Sequence, residues 1–280
     1  MTICIRASLI HMKNLSYKDT ILGRGPRTYA ALLKVSGFLA VPVLWMCVSW
    51  SGVVKPLFLP DPIRVIQAAW DIQHPNLFVH TLSTLRLIVS GYALGVVSGY
   101  TAGLLLRHSF IVRNFFTPII ETMRPVPAVA LIPFFILWFG YSATGKIVLI
   151  AAGVFLIIVV GVVNAIDTLD PLYIRSALAL GGNNWKFLWH AALPAILPTM
   201  LGHMRVALAI AITLAIVSEF MGATRGLGLV INSALNTFSS HTVMLVIIIL
   251  GMIGSILDAI LCFIWSKLTK WPQEAREALL

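Results

Sequence analysis

Charged side chains are scarce in this sequence. Of its 280 residues only 11% are Asp, Glu, Lys or Arg, whereas 59% are hydrophobic, and the mean hydropathy is +0.94. Soluble domains average about 25% charged and about 45–50% apolar residues, so the composition excludes an ordinary soluble domain. A chain of this length has room for about six spans of ~20 apolar residues each, and for no large domain outside the bilayer.

The sequence also lacks the motifs of several chemistries. It has no GxxxxGK[ST] loop to hold a nucleotide phosphate, so any ATP hydrolysis is expected on another chain. Its three cysteines are far apart, and no HExxH or CxxC accompanies the histidines, so neither a disulfide framework nor a metal site is predicted. We therefore expect no catalytic residue and no bound cofactor on this chain. The scattered histidines also argue against an integral membrane enzyme.

The net charge of +10 comes from 20 basic and 10 acidic residues. Such a charge is typical of nucleic-acid partners, but most of the basic residues fall in segments predicted on one membrane face. About 13 of them lie with the two termini and the 166–194 connector, and about 4 on the opposite side. The positive-inside rule thus predicts a multi-pass membrane protein with both termini cytoplasmic, in contact with lipid and not with nucleic acid.

Apolar runs divide the chain into three predicted parts. A cytoplasmic segment, 1–33, precedes a membrane domain, 34–270, and a short cytoplasmic tail, 271–280. The second run is rich in glycine, which lets helices approach closely. Six spans are predicted in an all-helical fold: 34–54, 82–106, 115–140, 147–165, 195–221 and 243–268. A short amphipathic helix is predicted at 63–72, after the turn-forming Leu59–Pro62.

Prolines interrupt the third run. Pro118, Pro125, Pro127 and Pro133 each remove a backbone donor, so this helix is predicted to be kinked or broken. A broken helix is tolerated at membrane depth only where it lines a cavity or is buried in protein. The segment is therefore a candidate for the translocation pathway.

The polar connector 166–194 contains a spaced motif. It reads Arg175-Ser176-Ala177, three residues ending in Leu180, Gly181, nine residues, Ala191, one residue, and Leu193-Pro194. This resembles the EAA loop of ATP-binding-cassette importer permeases, Glu-Ala-Ala-x3-Gly-x9-Ile-x-Leu-Pro. The positions that match are Ala177, Gly181, Leu193 and Pro194; those that depart are Arg175, Ser176 and Ala191.

Further motifs extend the resemblance over residues 40–270. They are FLPDP, RPVPAVALIP followed by WFG, GHMRVAL, SEF and GATRGLG, and together they resemble the nitrate/sulfonate/taurine branch of these permeases. The resemblance implies a type I importer fold in which a coupling helix, 172–180, docks on an ATPase subunit. It also implies a permease homodimer, two ATPase subunits that bind ATP and Mg, and an external solute-binding protein. Taurine or another aliphatic sulfonate leads the implied substrates, ahead of nitrate, aromatic carboxylates and pyrimidine-type vitamin precursors.

Charged residues inside the spans suggest a pathway for an anion. Arg124 and Arg205 lie about 16 Å deep if counted at ~1.5 Å per residue from the cytoplasmic ends. Asp258 reaches a comparable depth, and Glu121 lies on the same helix face as Arg124. The alternative is that these carboxylates neutralise the arginines in structural ion pairs, and the sequence leaves both interpretations open. Pro125 and Pro127 complete the pathway candidates on this segment.

Glu219 is predicted near the outer end of the fifth span, before the TRGLG loop at 224–228. We expect it to cap that loop or to pair with Arg225 rather than to contact substrate, although it too is a candidate pathway residue. The rival function is an ion-gradient-driven secondary transporter or channel. Such proteins use an intramembrane carboxylate relay and often internal repeats, and the sequence shows neither.

Overall fold

The computed structural model describes residues 27–71, 76–170, 172 and 191–268. Within these ranges the chain is helical, with no strand. A short 3₁₀ turn, Ala128–Leu131, precedes the fifth α-helix. The α-helices are α1 Arg27–Trp50, α2 Pro62–Asp71, α3 Leu77–His108, α4 Phe110–Met123, α5 Ile132–Phe139, α6 Ala143–Asp167, α7 Leu193–Phe220, α8 Leu227–Asn236 and α9 Ser240–Leu268.

Four described helices, α3, α6, α7 and α9, are long and apolar enough to cross a membrane. They contain the predicted second, fourth, fifth and sixth spans. The predicted third span is α4 followed by the 3₁₀ turn and α5, and it is bent by 94°, as its prolines predict. Counting that bent segment gives five spans. The predicted first span falls in α1 and stays a prediction, so six spans are not established.

The chain divides into two compact units at Arg64 and Val65. In the first, the predicted turn at Leu59–Pro62 packs beneath the end of α1. Trp45 Nε1 donates to the Pro60 carbonyl at 3.1 Å, and Asp61 Oδ1 accepts from Ile63 N–H at 3.0 Å. The second unit holds the helix bundle described below.

A glycine seam joins α3 to α6. Four buried glycines, spaced by four residues, lie on one face of α3, and each would place a Cβ within 2.6–2.8 Å of an α6 side-chain atom. Each contact joins residues 59 apart, so the two helices run parallel and in constant register. The seam pairs are Gly91 with Ile150, Gly95 with Val154, Gly99 with Ile158 and Gly103 with Val162. All four α6 partners are fully buried, so the small residues allow a backbone approach that larger ones would prevent.

The parallel seam fixes the course of the bent segment. At one end Arg107 pairs with Asp167 at 3.1 Å. Arg86 and Lys146 each lie 21 residues before that pair, or roughly 31 Å along the helix, which matches the ~30 Å thickness of a hydrocarbon core. The chain leaves α3 at the level of Asp167 and enters α6 at the level of Lys146, so α4 and α5 must carry it back across. We call the level of Asp167 the Asp167 end and the level of Lys146 the Glu219 end.

The other long helices run antiparallel to their neighbours. Gly161 of α6 lies against His203 of α7, and Gly153 lies against Leu214. Trp265 of α9 donates its Nε1–H to the Leu197 carbonyl of α7 at 2.8 Å. The core of the bundle therefore lies where α7 packs on the α3–α6 pair, and α7 ends at the Glu219 end.

Candidate functional site

Glu219 is fully buried in a polar network at the end of α7. Its Oε2 accepts a hydrogen bond from Thr84 Oγ1 at 2.8 Å and another from Gly228 N–H at 3.0 Å. Thr84 Oγ1 also accepts from Leu227 N–H at 2.8 Å. One carboxylate and one hydroxyl thus satisfy two orphan amides at the start of α8 and tie that helix to α3 and α7.

The glycine-rich loop before α8 is held by the same network. Gly226 has φ = +135° and donates its N–H to His80 Nδ1 at 3.0 Å; a side chain there would be strained and would overlap the Glu219 carboxyl group. Lys146, which is buried, donates from Nζ to the Gly222 carbonyl at 2.6 Å. The loop is therefore fixed by groups from three helices.

The contacts of Glu219 can be compared with the two roles expected for it. Its carboxylate accepts from Gly228 N–H just after the loop, and in the described part of the chain it forms no ion pair with Arg225, whose side chain is exposed. Sequence reasoning did not identify His80, Thr84 or Lys146 as its companions. The available signal was weak: two polar residues four apart at the start of α3, and one lysine in the otherwise apolar start of α6.

Arg205 and Asp258 form a bidentate ion pair between α7 and α9. The distances are 2.6 Å for Nε to Oδ1 and 2.7 Å for Nη2 to Oδ2. Because α7 packs antiparallel on α6, the Arg205–Asp258 pair lies about 10 Å inside the Asp167 end, counted at ~1.5 Å per residue. The side chains are 53% and 33% exposed, so the pair lies on the surface of the described bundle. Charges at such depth usually face a partner or a water-filled cavity.

Arg124 and Glu121 lie at the bend between α4 and α5. Both are exposed, and they border a cavity of about 60 Å³ beside α6. No ion pair joins them within the described residues, and no described contact joins Arg124 to Arg205. Pro125 and Pro127 occupy the bend itself and are exposed. The structure thus pairs one of the two candidate arginines and leaves the other at the break.

Comparison with known proteins decides the family. Residues 91–268 match the family described as "Binding-protein-dependent transport system inner membrane component". The chain belongs to this family. The resemblance inferred from the sequence motifs is thereby confirmed, and the chain is a multi-pass inner-membrane permease subunit of an ATP-binding-cassette importer.

Curated relatives of the permease include two sulfonate transport proteins. It is 28% identical over 259 residues to the taurine transport system permease protein TauC of Escherichia coli, covering 90% of this chain and 94% of that protein. It is 31% identical to the putative aliphatic sulfonates transport permease protein SsuC of Bacillus subtilis, covering 81% and 83%. A formylaminopyrimidine transport permease, ThiX of Halalkalibacterium halodurans, is 29% identical, covering 81% and 91%.

The fold of the permease resembles a solved structure of the inward-facing MetNI methionine ABC transporter. The TM-score is 0.55 at 21% sequence identity, and the match covers 66% of this chain and 94% of that one. The likeness supports the type I importer permease fold expected from the motifs.

Most of the predicted coupling loop lies outside the described residues. This applies to Arg175, Ser176, Ala177, Leu180 and Gly181. The last two motif positions are described: Leu193 and Pro194 open α7, where proline is well suited because the first-turn N–H has no helical partner. The next turn is held by the Trp265 bond to Leu197, so α7 and α9 are linked at the Asp167 end.

Within the described ranges no three His, Cys, Asp or Glu side chains come together as they would to hold a metal ion. Several described polar groups of the permease, among them Thr84, Glu219 and Lys146, instead form hydrogen bonds between helices or with the glycine-rich loop before α8. Chemically, the network at the Glu219 end is suited to fixing a loop, and the exposed charges are suited to contacting a solute or a partner.

Proposed function

We propose that this permease translocates a small anionic solute, with taurine or another aliphatic sulfonate first and nitrate as a further candidate. The similarity to TauC over 90% of the chain carries the proposal. SsuC supports the same chemistry. Relatives named for a pyrimidine precursor and for riboflavin, at 29% and 30% identity, make those solutes the comparison set in any screen.

The proposed partners follow from the family. A second copy of the chain forms the permease dimer, two ATPase subunits bind ATP and Mg beneath it, and an external binding protein delivers the solute. This chain itself binds no cofactor and carries no catalytic residue in the proposal. Its task is to offer alternating access between the two membrane faces.

The proposed orientation puts both termini and the Asp167 end in the cytoplasm. Arg107 and Arg113 at that end both approach Asp167, at 3.1 and 3.7 Å, and the basic residues of the 166–194 connector are counted on the same side. The Glu219 end then faces the binding protein. The network there would keep the outer loop rigid while the opposite end moves.

Coupling is proposed to run through the start of α7. A helix at 172–180 would sit on the ATPase and move with it, and Leu193-Pro194 would pass that motion to α7. The Trp265–Leu197 bond supports this route because it makes α9 follow the first turns of α7. Arg175, Ser176, Ala177, Leu180 and Gly181 are the proposed docking residues.

The proposed pathway passes the bend at Glu121, Arg124, Pro125 and Pro127. Arg205 contributes positive potential to the pathway only if its ion pair with Asp258 opens, because the bidentate pair is neutral overall. The pair supports the structural alternative for Arg205. Arg124, which has no ion-pair partner among the described residues, is the stronger candidate for meeting an anion.

The experiment is uptake into proteoliposomes. The tagged chain is purified from its native host, co-purifying proteins are identified by mass spectrometry, and the complex is reconstituted with labelled taurine and the binding protein. We expect about one ATPase per permease and uptake that requires ATP and is unaffected by ionophores. A matched pair of variants, Gly181→Asp and Gly202→Ala, tests the coupling: the first should hydrolyse ATP without uptake, and the second should behave as wild type.

A chain that purifies alone and whose uptake is abolished by ionophores would overturn the proposal in favour of a gradient-driven carrier. ATP-dependent uptake of formylaminopyrimidine or riboflavin without uptake of taurine would keep the importer and reject the sulfonate. Arg124→Ala should reduce uptake while the complex still assembles.

A further inference from the structure

A cavity at the Glu219 end is not used by the proposed pathway. It has a volume of about 390 Å³ and lies between α3, the start of α6 and the loop at 223–225. Pockets that bind small molecules usually span about 300–1,000 Å³, so this one is large enough for a small solute. Its polar lining residues are Ser83, Arg86, Ser90, Tyr141, Lys146, Thr224 and Arg225.

The charge of this cavity has one sign. Three cationic side chains line it and no acidic one does. Neither Arg86 nor Arg225 has a hydrogen-bond or ion-pair partner among the described residues. The nearest buried carboxylate, Glu219, bonds to Thr84 and the start of α8 and interacts electrostatically with Lys146 alone of the three cations. Arg86 and Arg225 therefore supply the positive potential of the cavity, and such cations in a half-enclosed site concentrate anions because the protein walls reduce screening by water.

The donors in the cavity suit an oxyanion. Ser83, Arg86 and Ser90 are spaced by three and four residues, so they share one face of α3. A guanidinium binds two oxygens of a sulfonate, carboxylate or phosphate at once, and hydroxyl groups beside it can donate to a third. Lys146 spends one N–H on the Gly222 carbonyl and has others to donate.

The walls of the cavity are fixed before any ligand arrives. Arg86 lies on α3 five residues from Gly91, the first glycine of the seam, and the loop that carries Arg225 is held by His80, Lys146 and Glu219. A preformed site loses little conformational entropy on binding. The cavity is also roughly 31 Å from the Arg107–Asp167 pair, at the other boundary of the hydrocarbon core.

We propose that this cavity binds the oxyanion head of the transported solute, a sulfonate in the first instance, as it enters the permease. The proposal rests on the proposed function for the identity of the solute and for the direction of entry. An anionic lipid head group offers the same chemistry from another source. We assign the site to the solute because α3, α6 and the rigid loop enclose it on three sides.

The test measures anion binding to the complete transporter in nanodiscs of neutral phosphatidylcholine. The probes are taurine and methanesulfonate, and their binding is measured by saturation-transfer NMR. The variant Arg86→Gln with Arg225→Gln removes two cations from the lining, and Lys55→Gln removes an exposed cation that does not line the cavity. Arg86→Lys keeps the charge but loses the two-pronged donor.

We expect the double variant to bind both probes at least tenfold more weakly, Arg86→Lys to fall between, and Lys55→Gln to match wild type. Co-purification of the ATPase subunits with each variant shows that the complex is folded and assembled. Equal binding by wild type and double variant, or no binding by wild type, would overturn the proposal. A second series with phosphatidylglycerol identifies the lipid alternative: if only lipid binding falls in the double variant, the solute assignment is wrong.

The two proposals fail differently. If the proposed importer function is wrong, wild-type uptake will not require ATP, whereas methanesulfonate binding will still depend on Arg86 and Arg225. If only the cavity assignment is wrong, ATP-driven taurine uptake will be normal in the double variant.

Discussion

The α3–α6 seam and the bent α4–α5 segment are both built from apolar sequence but differ in packing. All four seam glycines and their four partners on α6 are buried. On α4 no residue is buried, and on α5 only Ile132 is. The seam is complete within one chain, whereas the bent segment leaves most of its large apolar side chains uncovered by the described residues.

The difference shows what determines packing in a bilayer. Lipid tails are as apolar as leucine, so hydrophobicity does not drive one span against another. Close packing requires small residues at the right period, and α3 has a glycine at every fourth position of the seam. The bent segment has prolines in place of such a series. It keeps its bend and presents bulky residues outward, as a segment does when lipid or another chain is its neighbour.

The largest effect is expected from filling the seam. In Gly95→Ala the new Cβ would lie 2.6 Å from Val154 Cβ and 2.7 Å from the Ala151 carbonyl oxygen. Neither atom can rotate away, so the helices must separate, and we expect a loss of about 3 kcal/mol of stability. Thermal unfolding in detergent, followed by tryptophan fluorescence, measures the loss.

Gly251→Ala is the control, because a Cβ there meets nothing within 4 Å. It should be neutral, or stabilise by about 0.5–1 kcal/mol through helix propensity. Equal melting temperatures for the Gly95 and Gly251 variants would contradict the claim that close packing at the seam requires glycine.

The order of the elements could be predicted from the sequence, but their contacts could not. The apolar runs place α3, α6, α7 and α9 within a few residues, and the prolines predict the bend. Glu219 was identified from its motif. Its partner Thr84, however, lies 135 residues away, and neither run length nor spacing gives the register that brings the two together. Arg86, which has no partner among the described residues, was missed for the same reason: one charge in a span does not say which face it occupies.

A smaller effect is expected from breaking the polar network that joins α8 to α3 and α7. Thr84→Val keeps the shape of the side chain but leaves Leu227 N–H without its acceptor and removes a donor from Glu219. Unsatisfied buried groups of this kind cost about 1–3 kcal/mol. Thr81→Val is a close match on the same helix, because the hydrogen bond that Thr81 makes within the described ranges is to the Leu77 carbonyl one turn earlier. Hydrogen exchange at the α8 amides should rise in the first variant alone; unchanged exchange would show that Thr84 does not hold this loop.

The smallest effect is expected on the bent segment. Leu137 is 81% exposed, so Leu137→Ala removes atoms that the described chain leaves mostly uncovered and should change stability by less than about 0.5 kcal/mol. Ile132, in the same helix, is 1% exposed, and Ile132→Ala should cost about 2 kcal/mol or more. Unfolding in detergent compares the two, and cross-linking of the complex in lipid adds a second readout. If Leu137→Ala melts as wild type but weakens cross-linking between permease copies, then a second copy covers this face. The seam would then be packed by contacts within one chain, and the bent segment by contacts between two chains. If Leu137→Ala unfolds as readily as Ile132→Ala, then the bent segment packs more closely on its own bundle than its exposure indicates, and the contrast fails.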